Sequence, residues 1–188
     1  MDTRSEILAC ALELFAARGY EGTGVQEVVN AAGVTKPTLY HYFGSKQGLL
    51  EALMISHEAS QTSTIEPARD YRGDLPLTLR KIAAASFRFA RENRTFSRFL
   101  LALFFAPAES EGHVAASSFF QRQFVAIREM FAHATREHGN MKGRHLLSAA
   151  SFLGMINNCI GLYLNGSLLL DDELVERCVH QFEHGIYS

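Results

Sequence analysis

Apolar residues return every three or four positions along almost the whole chain, and no segment alternates apolar and polar residues as a strand does. That period restricts the chain to an all-α fold. The first stripe is Ile7, Leu8, Ala11, Leu12 and Phe15. Short ones follow at Val25, Val28, Val29 and Ala32, at Leu39 and Phe43, and at Leu49, Leu50, Leu53 and Met54. Longer ones run through Leu79, Ile82, Ala83, Ser86 and Ala90, through Phe96, Phe99, Leu100 and Leu103, and from Ala116 through Phe120, Phe124, Ile127 and Phe131 to Ala134. Residues 144–164 are apolar on two faces. The last stripe is Leu174, Val175, Cys178, Val179, Phe182 and Ile186. Helix counting on this basis gives about nine helices.

Punctuation between the stripes sets the expected ends. Thr3-x-x-Glu6 and Thr23-x-x-Gln26 read as capping boxes. Gly19 and Gly33 read as stops, and Thr35 with Pro37 as the start of a third helix. Gly44-Ser45 breaks and recaps the chain. A fourth helix then runs from Lys46 to about residue 62, with Gly48 a weak point near its start. Residues 63–74 are a polar connection. Pro107 and Gly139 end helices, and Asp171-Asp172 opens the last one. The domain boundary is expected near 45–50, giving a small N-terminal unit over 1–46 and a larger helical unit over 47–188.

With 188 residues, 47% of them hydrophobic, the chain has ample material for a buried core. Its formal net charge of -2 shows no global basic excess. Asp2, Arg4, Glu6 and Glu13 interrupt any leader-like apolar stretch. Residues 146–170 lack Asp, Glu, Lys, Arg and His, and are long enough to span a bilayer. Asn157 and Asn158 in the middle of that run argue against a membrane and for a helix buried on all sides by protein. They bond across a helix interface or address a ligand.

Cys10, Cys159 and Cys178 have no CxxC spacing, which disfavours a disulfide framework or a cysteine zinc site and suits a reducing cytoplasm. Cys159 and Cys178 read as small core residues. His180 and His184 stand four apart, but two His do not make a metal site, and an exposed helix face is expected. Arg88, Arg91, Arg94 and Arg98 read as a solvated stripe. No nucleophile–base set, phosphate loop or paired carboxylates on one face is present, so neither an enzyme nor a cofactor is expected.

Residues 25–43 read as helix, tight glycine turn, helix, the arrangement that reads a DNA major groove. The outer face of the second helix offers Thr35, Lys36, Thr38, Tyr40, His41 and Tyr42, groups that bond phosphate oxygens and base edges. The first 50 residues carry four cations (Arg4, Arg18, Lys36, Lys46) against five acids, so binding must rest on local placement of charge and on dimerisation.

Gly19-Tyr20-Glu21-Gly22-Thr23, followed by the run from Ala31-Ala32-Gly33-Val34-Thr35-Lys36-Pro37 to Tyr42-Phe43-Gly44-Ser45-Lys46, resembles the signature of the TetR family of bacterial transcriptional regulators. The likeness is dense over about 50 residues, with Val28-Val29 where the family commonly has Ile-Ala. It implies DNA contacts at Gln26, Thr35, Lys36, Pro37, Thr38, Tyr40, His41, Tyr42 and Lys46. Tyr40 and Lys46 would hold phosphates. It also implies a cavity among the Phe-rich helices. The lining candidates are Phe96, Phe99, Phe120, Phe124, Phe152 and Met155, with Asn158 or Tyr163 as a polar anchor. Both the residue pattern and the resemblance point to a homodimer through 144–164 and 171–186, a four-helix bundle using Ala150, Gly154, Gly161, Val175, Cys178 and Phe182.

The expected function is a ligand-responsive transcriptional regulator in the cytoplasm, a repressor. It would bind palindromic operator DNA as a homodimer and leave it when a small apolar or aromatic effector shifts the spacing of the recognition helices through the fourth helix. The partners are double-stranded DNA, the effector and a second copy, with no metal and no membrane. A helical ligand-binding protein with little or no DNA binding, or an all-helical enzyme, stays as the alternative.

Overall fold

The computed structural model describes residues 2–137 and 143–185. Among them are nine α-helices and one short 3-10 helix, with no strand. The helices are α1 (Thr3–Arg18), α2 (Val25–Ala31), α3 (Lys36–Phe43), α4 (Lys46–Ile65), α5 (Leu75–Glu92), α6 (Arg94–Phe104), α7 (Glu111–Glu137), α8 (His145–Leu164) and α9 (Asp172–His184). The 3-10 turn at Glu66–Arg69 occupies the polar connection. The expected stop at Gly139 and the last stripe residue Ile186 lie outside the described residues.

The chain forms two compact units, Met1–Ala59 with Thr95–Phe120, and Ser60–Arg94 with Gln121–Ser188. In the first, Ile7, Ala11 and Phe15 of α1, Val28 and Val29 of α2, Leu39 of α3 and Leu49, Leu50 and Leu53 of α4 are buried together. Phe96 and Phe99 of α6 and Phe119 of α7 complete this core. Phe99 stacks on Phe15 with centroids 5.7 Å apart, and Phe96 meets Phe119 edge-on at 6.3 Å.

Two helix starts differ from expectation by one residue. Asp2, not Thr3, caps α1: its carboxylate accepts the Ser5 N–H at 2.7 Å. That bond holds the Asp2 carboxyl below its ordinary value. Gly24, not Thr23, precedes α2, and Glu27 completes the box by accepting the Gly24 N–H at 2.8 Å. Thr23 is buried, and its hydroxyl donates to the Gly19 carbonyl at 2.9 Å. Thr35 and Pro37 do open α3, and Ser45 caps α4 by accepting the Gly48 N–H at 2.9 Å. Gly48 itself is a requirement of packing. A Cβ there would stand 2.0 Å from the Phe43 carbonyl oxygen.

In the second unit, Phe131 of α7, Phe152 of α8 and Phe182 of α9 form an aromatic cluster with centroids 5.3–6.1 Å apart. Leu79, Ile82, Phe87 and Phe89 of α5 and Val175 and Val179 of α9 fill the core around α8. Arg91 and Arg94, expected in a solvated stripe, have defined acceptors. Arg91 donates to the Leu170 carbonyl. Arg94 donates to the Leu164 carbonyl at 3.2 Å and lies 4.7 Å over the Tyr163 ring. A cation at the last carbonyls of α8 complements that helix end.

The sharpest departure is α8. It is long and apolar enough to cross a membrane by length and composition, yet it is not buried on all sides. Leu147, Ser151, Gly154, Asn158 and Leu162 form one exposed row at steps of three and four, with Leu147 67% and Leu162 47% exposed.

Candidate nucleic-acid interface

The turn between α2 and α3 is set by hydrogen bonding and by one glycine. The Val34 N–H donates to the Val29 carbonyl at 3.0 Å, and Gly33 takes φ +63°, where a Cβ would be strained. Gly44 closes α3 at φ +71°. Leu39 and Phe43 point inward and fix the rotation of α3, which leaves Thr35, Lys36, Pro37, Tyr40, His41 and Tyr42 exposed on one polar face. Tyr40 is 46% and Tyr42 43% exposed, unusual for rings with a core directly behind them. Thr38 is half-buried, its hydroxyl 2.9 Å from that of Thr35. His41 and Tyr42 meet edge-on at 5.4 Å.

Gln26 is exposed at the start of α2, and its amide donates to Asn30 at 2.8 Å. Lys46 is half-buried with its ammonium 4.1 Å above the Tyr20 ring. Tyr20 is buried and donates to Glu111 at 3.3 Å. Burial first, then the Glu111 charge, pushes its phenol up to about 12, so it is neutral under Lys46. Arg18 pairs with Glu27, and Arg4 lies over Phe43 at 5.4 Å. Three of the four cations counted in the sequence therefore rest on protein groups, and Lys36 is the one fully on the α3 face. The Lys46–Tyr20 contact carries no motif that sequence reasoning could have used.

The residues expected to line a cavity are divided between the two units. Phe96 and Phe99 are core of the first unit, and Phe120 there stacks edge-on with Phe104 at 5.1 Å. Phe152 is fully buried in the second unit, Phe124 is half-buried, Asn158 is exposed, and Tyr163 lies under Arg94. Met155 does line a cavity, an open one of about 1050 Å³ among α5, α7, α8 and α9 of the second unit. Leu75, Leu79, Phe131 and Phe182 share its wall with Arg144 and His184. Arg144 and Leu75 stand outside every stripe and motif.

Of the residues expected in a dimer interface, Ala150 and Gly154 are exposed and Gly161 is half-exposed. Val175 and Cys178 are buried within the chain's own core, because α9 turns its apolar stripe onto the core and its charged face outward. Phe182 is half-buried in the aromatic cluster. His180 and His184 are exposed on α9 with rings 4.4 Å apart, and no group of three or more metal-ligating His, Cys, Asp or Glu exists among the described residues.

Residues 7–53 match the family described as bacterial regulatory proteins, tetR family. The HTH-type transcriptional activator FasR of Mycolicibacterium smegmatis is 35% identical over 88 residues, 47% of this chain and 40% of that protein. The HTH-type transcriptional repressor NemR of Escherichia coli is 39% identical over 59 residues, 31% of this chain and 30% of that protein. The matches thus span less than half the length of these curated relatives. Over the whole chain the fold is that of a putative fatty acid metabolism regulator from Clostridium perfringens, at TM-score 0.83 and 20% identity, covering 97% of this chain and 99% of that one. The regulator FadR of Bacillus subtilis in complex with stearoyl-CoA superposes at TM-score 0.81 and 17% identity, with the same coverage. The helix-turn-helix at residues 25–43 lies inside the stretch that matches the tetR family of bacterial regulatory proteins, and the nine helices among the described residues have the fold of the solved regulators of that family.

Proposed function

We propose that this regulator is a repressor that binds palindromic operator DNA as a homodimer and leaves it on binding a small, largely apolar effector. The observation that carries the reading is the α3 face, where two tyrosines, a histidine, a lysine and two threonines stand around Leu39 and Phe43, which hold the helix from behind. Tyr40 and Lys46 hold phosphates. Lys36, Thr38 and His41 or Tyr42 address base edges, with Gln26, Thr35 and Pro37 at the margins. Two such helices enter successive major grooves only when a dimer sets them about 34–36 Å apart. The exposed row on α8 supports that dimer, since two exposed leucines favour burial and Gly154 between them permits the close approach of a second helix.

The cavity lined by Leu75, Leu79, Phe131, Met155 and Phe182 is large enough for an acyl chain or a fused-ring molecule, and Arg144 offers a partner for an acidic end. FadR of B. subtilis, similar in fold, was crystallised with stearoyl-CoA, which favours an acyl effector. Effector binding acts on the recognition helices through α4, which runs from Lys46 beside α3 to Ile65. The coupling is reciprocal, so operator DNA weakens the effector by the same factor. A selected-DNA binding screen with the full chain tests the reading. A palindrome enriched and then shifted by dimer is the expected result. No enrichment over random DNA would favour a ligand-binding protein without DNA function.

A further inference from the structure

Cys159 of α8 and Cys178 of α9 lie with their Sγ atoms 3.5 Å apart. Both are buried free thiols, and both line the cavity of the second unit. We propose that this pair is an oxidisable dithiol site that an apolar organic hydroperoxide converts to an intramolecular disulfide joining α8 to α9.

A disulfide brings its sulfurs to about 2.0 Å. The two sulfurs, already in van der Waals contact, stand about 1.5 Å short of that length. The cavity supplies the access that burial would otherwise deny. Its wall of Leu75, Leu79, Phe131, Met155 and Phe182 accepts the apolar tail of a hydroperoxide and leaves the O–O bond beside the sulfurs. Among the described residues no third metal-ligating His, Cys, Asp or Glu is grouped with the pair.

The chemistry balances with the hydroperoxide as sole oxidant. One sulfur attacks the outer peroxide oxygen, the O–O bond breaks, and the thiol proton passes to the leaving alkoxide, giving an alcohol and a sulfenic acid. The second sulfur attacks the sulfenic sulfur. The S–S bond forms, the S–O bond breaks, and water leaves with the second thiol proton. Two thiols lose two electrons, and the hydroperoxide gains them. Burial first, and then the contact with Cys178, pushes the Cys159 thiol up to about 12. It is therefore protonated at neutral pH, so its proton must leave as the sulfur attacks, and the oxidation is slow.

The test uses the reduced full-length protein and cumene hydroperoxide, with hydrogen peroxide at equal concentration as a second arm. Thiols titrated after denaturation should fall from three to one, Cys10 alone remaining. Intact mass should fall by about 2 Da, and peptides carrying Cys159 and Cys178 should be linked until dithiothreitol is added. The crosslink closes a loop of moderate length, so Tm should rise by roughly 5–10 °C. Cumene hydroperoxide should act about tenfold faster than hydrogen peroxide, because it is held by the cavity. Cys10→Ser should respond as the parent does. Cys159→Ser should keep both remaining thiols or stop at a trappable sulfenic acid. Three thiols surviving the treatment, oxygen added to either cysteine without a link, or a link between two chains would overturn the proposal. Equal rates with the two peroxides would overturn the role of the cavity. The wild-type mass and peptide map decide the matter even if a cysteine variant fails to fold.

Discussion

The exposed faces of α3, in the first compact unit, and of α8, in the second, differ in chemistry. The first, residues 1–59 with 95–120, exposes a polar helix face on α3, backed by a filled core. The second, residues 60–94 with 121–188, exposes on α8 a row with Leu147 and Leu162 at its ends and carries an open cavity with a largely apolar wall. A polar face is stable in water and can wait for an intermittent partner such as DNA. An apolar face is stable only when covered, so it calls for a permanent partner. The sharpest way to break this contrast is Leu162→Glu. A carboxylate in an apolar interface should give monomers in sedimentation, with the helical fold retained, since Leu162 is exposed in the protomer. Loss of the second half-site should then weaken operator binding by roughly 100-fold or more. A Leu162→Glu dimer of unchanged affinity would remove α8 from the interface.

The next largest effect tests the backbone of the first unit. Helix propensity alone says that Gly48→Ala stabilises α4 by ~1 kcal/mol. The close approach of the Phe43 carbonyl says the opposite, because a Cβ 2.0 Å from that oxygen forces the first turn of α4 to shift. Denaturant unfolding should show a loss of ~1–3 kcal/mol. A gain would mean that the α3–α4 junction relaxes freely.

The same junction shows what a sequence can and cannot carry. Gly33, Thr35, Pro37, Gly44 and Ser45 act through local backbone geometry, so the helix-turn-helix and the start of α4 were legible from residue order alone. Thr3 and Thr23 misled by one position because Asp2 and Gly24 are also good caps, and only tertiary packing draws Thr23 inward. The aromatic residues were hardest. Phe96 and Phe152 look alike along a stripe, yet one fills the first unit and the other the second, and neither lines the cavity described here. Which neighbours a phenylalanine meets is decided by helix packing across long sequence separations. Cys178, by contrast, is buried as its reading as a small core residue expects.

On the polar face of the first unit, smaller effects should separate positioning from reading. Lys36→Ala should relax preference at one base pair by ~1–3 kcal/mol if its ammonium bonds a guanine edge, with little change on random DNA. Tyr40→Phe should weaken operator and random DNA alike, because a phosphate contact carries no base information. Competition between the selected operator and single-substitution variants measures both. Equal loss on all sequences for Lys36→Ala would make it a phosphate contact.

The smallest effect lies inside the first unit, where polar chemistry is buried instead of displayed. The His57 ring stacks on Phe96 with centroids 4.1 Å apart and planes 11° off parallel, while its Nδ1–H donates to the Leu53 carbonyl at 3.0 Å. Burial lowers its pKa below the ordinary 6.5, against a weaker opposing pull from the Leu53 carbonyl. The unfolded chain therefore binds this proton at a higher pH than the folded one does. The stability tied to neutral His57 is fully present above pH 6.5, and it is lost as pH falls through the depressed folded value. His57→Phe keeps an aromatic ring against Phe96 and removes the titration, at the cost of the bond to Leu53. Its Tm at pH 7.5 should be close to or slightly below that of the parent, and the difference should shrink or reverse toward pH 5. Parallel Tm curves for the two proteins across that window would mean that the His57 ring stays solvated enough to titrate as it does in the unfolded chain. The tight stack on Phe96 would then not be the arrangement that holds in solution.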